Sequence, residues 1–380
     1  MDTSDNDTYK TIDTRMLMPL VRRALNRDAA EIMDWRSNSL YGAGLNSKIV
    51  RFSGNARERD AILPWSLILK IVRSNDNDDD PVSLRYWKRE ALTYQSGLLD
   101  NLPGKIRAPR CYEVIEQPGQ EVWLWLEEVI DDLKGKWSLD QFGNVARHVG
   151  EFNGIFFENP SAFSHPWMLK NQLRAWLGDD APILPPEVLA HPWVARFVPN
   201  EIYEWMQRVW SEHNTCLDFI ERQPQTLSHL DVFRRNSFAR LNPQGDLQTV
   251  LIDWAFVGSA APGEEIASLV AGSVNFLEFD SAQVHALDQI VFEGYLEGLR
   301  FAGWQGDPRL VRFAYAVGSV LKFSVGVYGV AFMVADENQQ PILEQMFGHP
   351  VEELVDVWGS TLRFLTKLAD EARELASQLY

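Results

Sequence analysis

The chain has 380 residues, of which 46% are hydrophobic and 23% charged, values typical of a folded protein with a substantial core. Its net charge of -17 disfavours nucleic acids and anionic membranes as the main partner, because both need a basic face, so neither is expected. The charge would suit a cationic substrate, but solubility alone explains it. Cys111 and Cys216 form no C-x-x-C pair or disulfide framework, so a cytoplasmic protein is expected.

The first part of the chain predicts a helix followed by a small antiparallel sheet. Residues 14–26 carry apolar and basic residues at helical spacing, which indicates a short amphipathic helix. Three β-prone runs follow at residues 30–35, 48–52 and 65–72. Gly, Asn, Ser and Asp residues separate them, as in antiparallel strands joined by turns.

One main helix and two more strands complete this part. From residue 81 to residue 98 the apolar residues fall on one helical face. Residues 109–116 and 121–129 then predict two strands joined by a Pro-Gly turn. We therefore expect a small, mostly β N-terminal region over residues 1–127.

The remaining residues, 128–380, predict a larger and mostly helical region. Ser138 and Gln141 form a capping box that starts a helix, and residues around 236–254 predict a strand pair. Residues 313–335 contain one charge, Lys322, and are long enough for a membrane span. Because a central lysine is costly in a bilayer, we predict a buried helix instead.

The residues that indicate chemistry follow one another in a characteristic order. His229-x-Asp231 precedes Asn236 by a fixed spacing, and Asp253 comes later behind an apolar strand. In phosphoryl transfer the first Asp orients the acceptor hydroxyl and takes its proton. The Asn and the second Asp hold metal ions that bridge the ATP phosphates. His229 is expected to brace the loop. The pattern predicts a kinase that uses ATP and Mg²⁺.

Two earlier stretches fit the binding of a nucleotide. Gly42 and Gly44 lie in a turn between predicted strands, where backbone N–H groups can come close to phosphate oxygens. The backbone at Glu127, Glu128 and Val129 follows a strand and could hydrogen-bond an adenine edge, although a plain connector fits the same residues.

A lysine and a glutamate predict the positioning of phosphates. Lys70 lies inside an apolar strand, where it needs either an exit to solvent or an anionic partner. Glu90 lies twenty residues later, at the edge of the buried face of the next predicted helix. We therefore expect the two to pair, since a kinase uses such a pair to hold the α- and β-phosphates.

Taken together, these motifs resemble the aminoglycoside phosphotransferase-like family of small-molecule kinases, which share the protein-kinase fold. The resemblance covers residues 40–270, and the matching segments are Gly42-Ala-Gly44-Leu45-Asn46, Leu69-Lys70-Ile71 with Glu90, Leu124-Trp-Leu-Glu127, His229-Leu-Asp231 through Asn236, and Ile252-Asp253-Trp254.

The resemblance implies an α+β, bilobal, protein-kinase-like fold, with the nucleotide bound between a small antiparallel β lobe and a larger helical lobe. It also implies that Asp231 is the catalytic base and that Asn236 and Asp253 are the metal ligands. Leu45 and Asn46 join the two glycines of their turn in contacting the nucleotide.

Two features depart from that family. Phe233, Arg234 and Arg235 stand where the family has small or Pro-Gly residues. Either arginine could stabilise charge at the transferred phosphoryl group or be ion-paired elsewhere. The chain is also rich in aromatic residues, with 14 Trp, 20 Phe and 10 Tyr, some of which could line a pocket for a large or apolar acceptor.

We expect an ATP-dependent O-phosphotransferase that acts on a hydroxyl of a small molecule such as an aminoglycoside, another antibiotic or a metabolite. Glu264 and Glu265 could receive an acceptor amine. Two alternatives stay open at this point: a kinase acting on a peptide or protein, and a catalytically silent nucleotide-binding scaffold. The motifs also leave open ATP or GTP and the oligomeric state.

Overall fold

The computed structural model describes residues 8–40, 47–74, 79–158 and 164–379. Its strands are β1 Glu31–Leu40, β2 Ser47–Glu58, β3 Ala61–Arg73, β4 Ile106–Arg107, β5 Cys111–Gln117, β6 Glu121–Leu126, β7 Leu169–Lys170, β8 Thr226–Ser228, β9 Ser237–Leu241, β10 Leu247–Leu251 and β11 Gly258–Ala260.

The α-helices are α1 Thr14–Leu25, α2 Arg89–Gln95, α3 Leu139–Phe157, α4 Gln172–Leu177, α5 Pro186–Leu189, α6 Pro192–Phe197, α7 Asn200–Glu221, α8 Ser273–Asn275, α9 Val284–Phe301, α10 Pro308–Ala335, α11 Gln340–Phe347 and α12 Val351–Leu379. An early antiparallel sheet followed by a mostly helical remainder confirms the predicted α+β class.

The chain divides into two units. The first comprises Met1–Asp79, Ala91–Asp100 and Pro109–Val129, and the second comprises Asp80–Glu90, Asn101–Ala108 and Ile130–Tyr380. Two short segments from the first 127 residues thus pack with the helical unit. One reason is that β4 pairs in parallel with β10, which places residues 106 and 107 in a sheet of the second unit.

The first unit contains a five-stranded antiparallel sheet, in the order β1-β2-β3-β6-β5. Asp13 caps α1 by accepting hydrogen bonds from Arg15 N and Met16 N. The apolar face of α1, including Leu17, packs against sheet residues such as Phe52. The alternating burial along β2 and β3 explains why short β-prone runs predicted these strands correctly.

The predicted helix over residues 81–98 is shorter in the structure, where α2 begins only at Arg89. The guanidinium of Arg89 is buried and donates hydrogen bonds to the backbone oxygens of Pro81, Ser83 and Leu84. A side chain thus satisfies carbonyl groups that helix hydrogen bonds would otherwise take. The strand predicted over residues 121–129 is also shorter, because β6 ends at Leu126.

Helices α3 and α9 lie close together in the second unit because glycines line their contact. A Cβ atom on Gly150 of α3 would lie 2.1 Å from the backbone oxygen of Tyr295 on α9, and one on Gly298 would lie 2.0 Å from that of Arg147. This close approach brings Asn153 of α3 and Tyr295 of α9 within 2.7 Å of each other, as a hydrogen-bonded pair.

The apolar helix α10 is long enough to cross a membrane, but 56% of its most apolar window is buried within the protein. Asp307 caps its first turn by accepting from Arg309 N at 2.9 Å. Its central lysine, Lys322, is held by protein groups described below. Helix α10 is therefore a core helix of the second unit, as predicted.

Burial of His148 predicts a loss of stability in mild acid. The side chain on α3 is 3% exposed, and its Nδ1 lies 2.9 Å from Thr249 Oγ1. Burial lowers the pKa of His148 to about 4, against about 6.5 when unfolded. The neutral form therefore stabilises the fold above pH 6.5, and this contribution is lost as the pH falls from 6.5 to 4.

Between pH 7 and pH 5 we expect His148 to account for a loss of about 2 kcal/mol in the free energy of unfolding. Urea denaturation of the wild type and of His148→Asn measures it, since asparagine can still bond Thr249 but does not titrate. Equal losses in the two proteins over this pH range would contradict the assignment to His148.

Candidate active site

The loop after β8 brings the two most informative residues into direct contact. Asn236 Nδ2 donates to Asp231 Oδ2 at 2.9 Å and to the backbone oxygen of Asp231 at 3.1 Å. Both of these oxygens only accept, so the amide atom facing them is the nitrogen. The amide oxygen of Asn236 is not used in these two hydrogen bonds, and amide oxygens are among the ligands that Mg²⁺ binds.

His229 is a structural brace, as the sequence predicted. It is fully buried, and its Nε2 donates to the backbone oxygen of Ile252 at 2.9 Å. Its Nδ1 then accepts from Asp231 N at 3.3 Å, which fixes a neutral ring protonated at Nε2. The ring also lies edge-on to Trp254, 4.6 Å between centroids. One imidazole thus links the loop of Asp231 to the strand end before Asp253.

Asp253 lies at a sharp backbone turn directly after that strand end. Its φ is +62°, in the left-handed region that Asp tolerates better than most residues. Ile252 N donates to Asn236 O at 3.0 Å, so one backbone hydrogen bond joins Asn236 to the residue directly before Asp253. On the other side, Trp254 N donates to the buried carboxylate of Glu90 at 3.3 Å.

Glu265 is a site residue whose role the sequence did not predict. Its side chain is 2% exposed, and Oε1 accepts from the backbone N–H groups of His229 and Leu230. Oε2 accepts from Asn153 at 2.8 Å. Burial raises the pKa of Glu265 to about 7. Because this carboxyl group is used to anchor the loop after β8, the expectation that it receives an acceptor amine is wrong.

Replacing Glu265 by alanine is expected to destabilise the fold by about 3 kcal/mol, because two buried N–H groups lose their acceptor. Chemical denaturation at pH 7 measures the change. Glu265→Gln is the matched control, since its amide oxygen can still accept from both N–H groups. A loss of stability as large in Glu265→Gln as in Glu265→Ala would contradict this role.

Like Glu265, Lys322 lies at the site although its sequence pattern did not predict this. From α10 its Nζ donates to Leu230 O at 3.1 Å and to Ser268 Oγ at 2.8 Å, and it lies 3.6 Å from Asp231 Oδ1. The two charged side chains are only 11% and 20% exposed. Burial raises the pKa of Asp231 and lowers the pKa of Lys322, while their attraction opposes both shifts. The only signal in the sequence was a single charge in a long apolar run.

Arg234 and Arg235 are both ion-paired away from Asp231. Arg234 lies 2.7 Å from Asp131 and stacks over Trp137, and Arg235 lies 2.8 Å from Glu278. These contacts support the ion-paired alternative over a direct role for either arginine in phosphoryl transfer.

The structure describes Lys70 but not the glycine turn among the residues predicted to bind the nucleotide. Lys70 lies in β3 opposite Ile49 and Leu124 and is 7% exposed, which excludes a side chain that simply reaches out to solvent. Its pairing with Glu90 stays a prediction. Gly42, Gly44, Leu45 and Asn46 lie outside the described residues.

The segment predicted to bind adenine begins directly after β6. Glu127 N donates to Arg110 O at 2.9 Å, and Arg110 N donates to the Glu127 carboxylate at 3.0 Å. Glu128 pairs with Arg51 at 2.7 Å. The N–H group of Glu127 is already used within the unit, and the binding of an adenine edge by this segment stays a prediction.

A cavity of about 330 Å³ opens beside Asp231 in the second unit. We call it the aromatic cavity. Seven of its fifteen lining residues are aromatic, and Lys322 is among the remainder. The predicted catalytic carboxylate therefore faces a space large enough for a small molecule.

Three solved structures are similar to this chain over most of its length. An amicoumacin kinase bound to AMP-PNP, Ca²⁺ and amicoumacin has a TM-score of 0.46 and 13% identity, and covers 93% of this chain and 96% of its own. The Plasmodium vivax ethanolamine kinase has a TM-score of 0.49 and 11% identity, and the match covers 96% of this chain and 89% of the kinase. The GDP complex of aminoglycoside 2'-phosphotransferase-IIIa has a TM-score of 0.49 and 12% identity, and the match covers 94% of this chain and 99% of the phosphotransferase. These neighbours are kinases of small molecules.

No protein-family model and no curated protein sequence matches the chain.

Proposed function

We propose that this protein is an ATP-dependent O-phosphotransferase that moves the γ-phosphoryl group to a hydroxyl group of a small molecule. The observation that carries the proposal is the carboxylate of Asp231, held by Asn236 and Lys322 and facing the aromatic cavity. The cavity has the size of a single small molecule, which favours such an acceptor over a peptide.

Asp231 would accept the proton of the acceptor hydroxyl while the hydroxyl oxygen forms a bond to the γ-phosphorus. The bond from that phosphorus to the bridging oxygen breaks, and its electron pair leaves with ADP. A carboxylate in this position acts as general base and orients the nucleophile. Hydrogen bonding by Asn236 fixes the carboxylate plane, leaving Asp231 Oδ1 beside Lys322.

Asn236 and Asp253 would hold Mg²⁺, which neutralises phosphate charge when bound. The donor set fits this ion, because Mg²⁺ binds through one or two protein oxygens and completes its shell with phosphates and water. Within the described ranges, no group of three His, Cys, Asp or Glu side chains could hold a metal without such help. Lys70 would position the phosphates, and the backbone of Glu128 and Val129 would bind the base.

The test is acceptor-dependent ADP release from Mg·ATP across pools of hydroxyl compounds, with Asp231→Ala as the blank and Mg·ATP binding measured in parallel. Release above the blank in any pool supports the proposal. Binding of Mg·ATP without release in any pool would favour the silent scaffold or a peptide substrate. Absence of Mg·ATP binding would overturn the proposal.

A further inference from the structure

We infer that the acceptor is an uncharged and largely apolar alcohol or phenol, not a polycationic sugar. This inference rests on the proposed phosphotransferase function and concerns only the acceptor side of the same site. It follows from three features of the aromatic cavity: its charge balance, its aromatic walls and the position of Asp231 on its surface.

The charge balance of the aromatic cavity argues against a cationic acceptor. Among the described residues that line it, Asp231 and Lys322 are the ones that ionise, and they pair with each other. An acceptor with several ammonium groups would meet one carboxylate that is already paired and would leave its other charges without partners. Buried, unpaired charge is strongly disfavoured, so this cavity selects against such compounds.

The two adjacent glutamates Glu264 and Glu265 do not change this balance. Glu265 anchors the backbone of His229 and Leu230. Glu264 Oε1 accepts from Ala261 N at 2.7 Å, and burial raises the pKa of Glu264 to about 8. Neither residue belongs to the lining of the aromatic cavity. Neither glutamate therefore adds negative charge to the wall of the cavity.

The walls of the cavity match an apolar acceptor. Phe233, Phe276 and Phe347 form a continuous stack, with 5.2 Å between successive ring centroids and interplanar angles of 17° and 18°. Phe323 and Trp176 add aromatic surface from α10 and α4. Aromatic side chains bury large apolar areas and stack on flat groups, so these walls stabilise a ligand by excluding water.

The polar groups around Lys322 suit a ligand with a single hydroxyl group. Ser268 accepts the hydrogen bond from Lys322, and Asp231 is the acceptor placed to receive a proton from a ligand. A ligand with one reactive hydroxyl on an apolar body satisfies this arrangement. Its hydroxyl donates to Asp231, and its body lies against the aromatic rings.

The experiment compares acceptors of opposite character in the full-length protein. Estradiol and 4-phenylbenzyl alcohol are the uncharged probes, and kanamycin and ethanolamine are the cationic ones. Equilibrium binding is followed by tryptophan fluorescence, since Trp176 and Trp358 line the cavity, and transfer by Asp231-dependent ADP release. We expect binding and transfer with at least one uncharged probe, and with neither cationic probe.

A matched pair of variants on α10 locates the binding. Phe323 lines the cavity, whereas Phe332 lies on the same helix, outside the lining and 44% exposed. We expect Phe323→Ala to raise the dissociation constant of an uncharged probe by about tenfold to a hundredfold, from the apolar area lost. Phe332→Ala should leave it unchanged.

Faster transfer to kanamycin or ethanolamine than to the uncharged probes would overturn this inference while supporting the phosphotransferase function. Failure of every uncharged probe to bind would overturn it as well. Failure of the proposed phosphotransferase function itself would give a different result, the absence of Mg·ATP binding.

Discussion

Replacing Asp231 by asparagine is expected to lower acceptor-dependent phosphoryl transfer by about 10²- to 10⁴-fold, the usual contribution of a positioned general base. Asparagine has nearly the same shape and can still hydrogen-bond the acceptor, but it cannot take a proton. Mg·ATP binding should change little, because Asn236 and Asp253 are retained. Single-turnover phosphorylation and nucleotide titration measure the two effects separately.

This variant also leaves the lysine at the site without its counterion. Lys322 lies 3.6 Å from Asp231 and is mostly buried, and removing one partner of such a pair destabilises a fold more than removing both. The double variant Asp231→Asn with Lys322→Met is therefore the control for stability. It should melt at or above the temperature of the single variant and remain as inactive. Transfer by Asp231→Asn at more than a tenth of the wild-type rate would exclude this residue as the base.

The parts of the site that the sequence predicted are those encoded locally. His229, Asp231 and Asn236 lie within eight residues of one another, and Asn236 Nδ2 donates to both the carboxylate and the backbone oxygen of Asp231. The strand pair β9 and β10 then carries the chain to Asp253 with regular antiparallel pairing. Short spacing and β-prone composition can be read from the sequence, so these elements could be predicted.

The residues that the sequence missed act across long distances in the chain. Lys322 donates to a carbonyl 92 positions away, and Glu265 accepts from an N–H group 36 positions away. Arg89 likewise bonds Ala255 O, 166 positions away, and its other bonds shorten the predicted helix. Side-chain periodicity predicts that such a residue is buried. Which backbone group it meets depends on how the helices pack.

Lys322 therefore provides the second large expected effect. Replacing it by methionine keeps the apolar stem but removes the positive charge beside Asp231. We expect the rate at pH 7 to fall by about 10- to 10²-fold, somewhat less than the loss of a donor that contacts the reacting oxygen directly. Because Lys322 would act through Asp231, it is a positioning residue.

The pH dependence distinguishes this role from a merely structural one. The positive charge of Lys322 lowers the pKa of Asp231 against the effect of burial. The base must be ionised to act, so activity falls as the pH drops through that pKa. Removing the lysine raises the pKa of Asp231, and the acidic limb of the rate profile should move upward by about one pH unit or more.

Lys322→Arg is the matched control, since it retains the charge and should keep the acidic limb near its wild-type position even if geometry lowers the rate. A structural role alone would lower the rate of Lys322→Met equally at every pH. An acidic limb unmoved in Lys322→Met would therefore rule out electrostatic control of Asp231 by this lysine. A limb that moves in methionine and not in arginine would identify the charge on α10 as the group that keeps the base ionised.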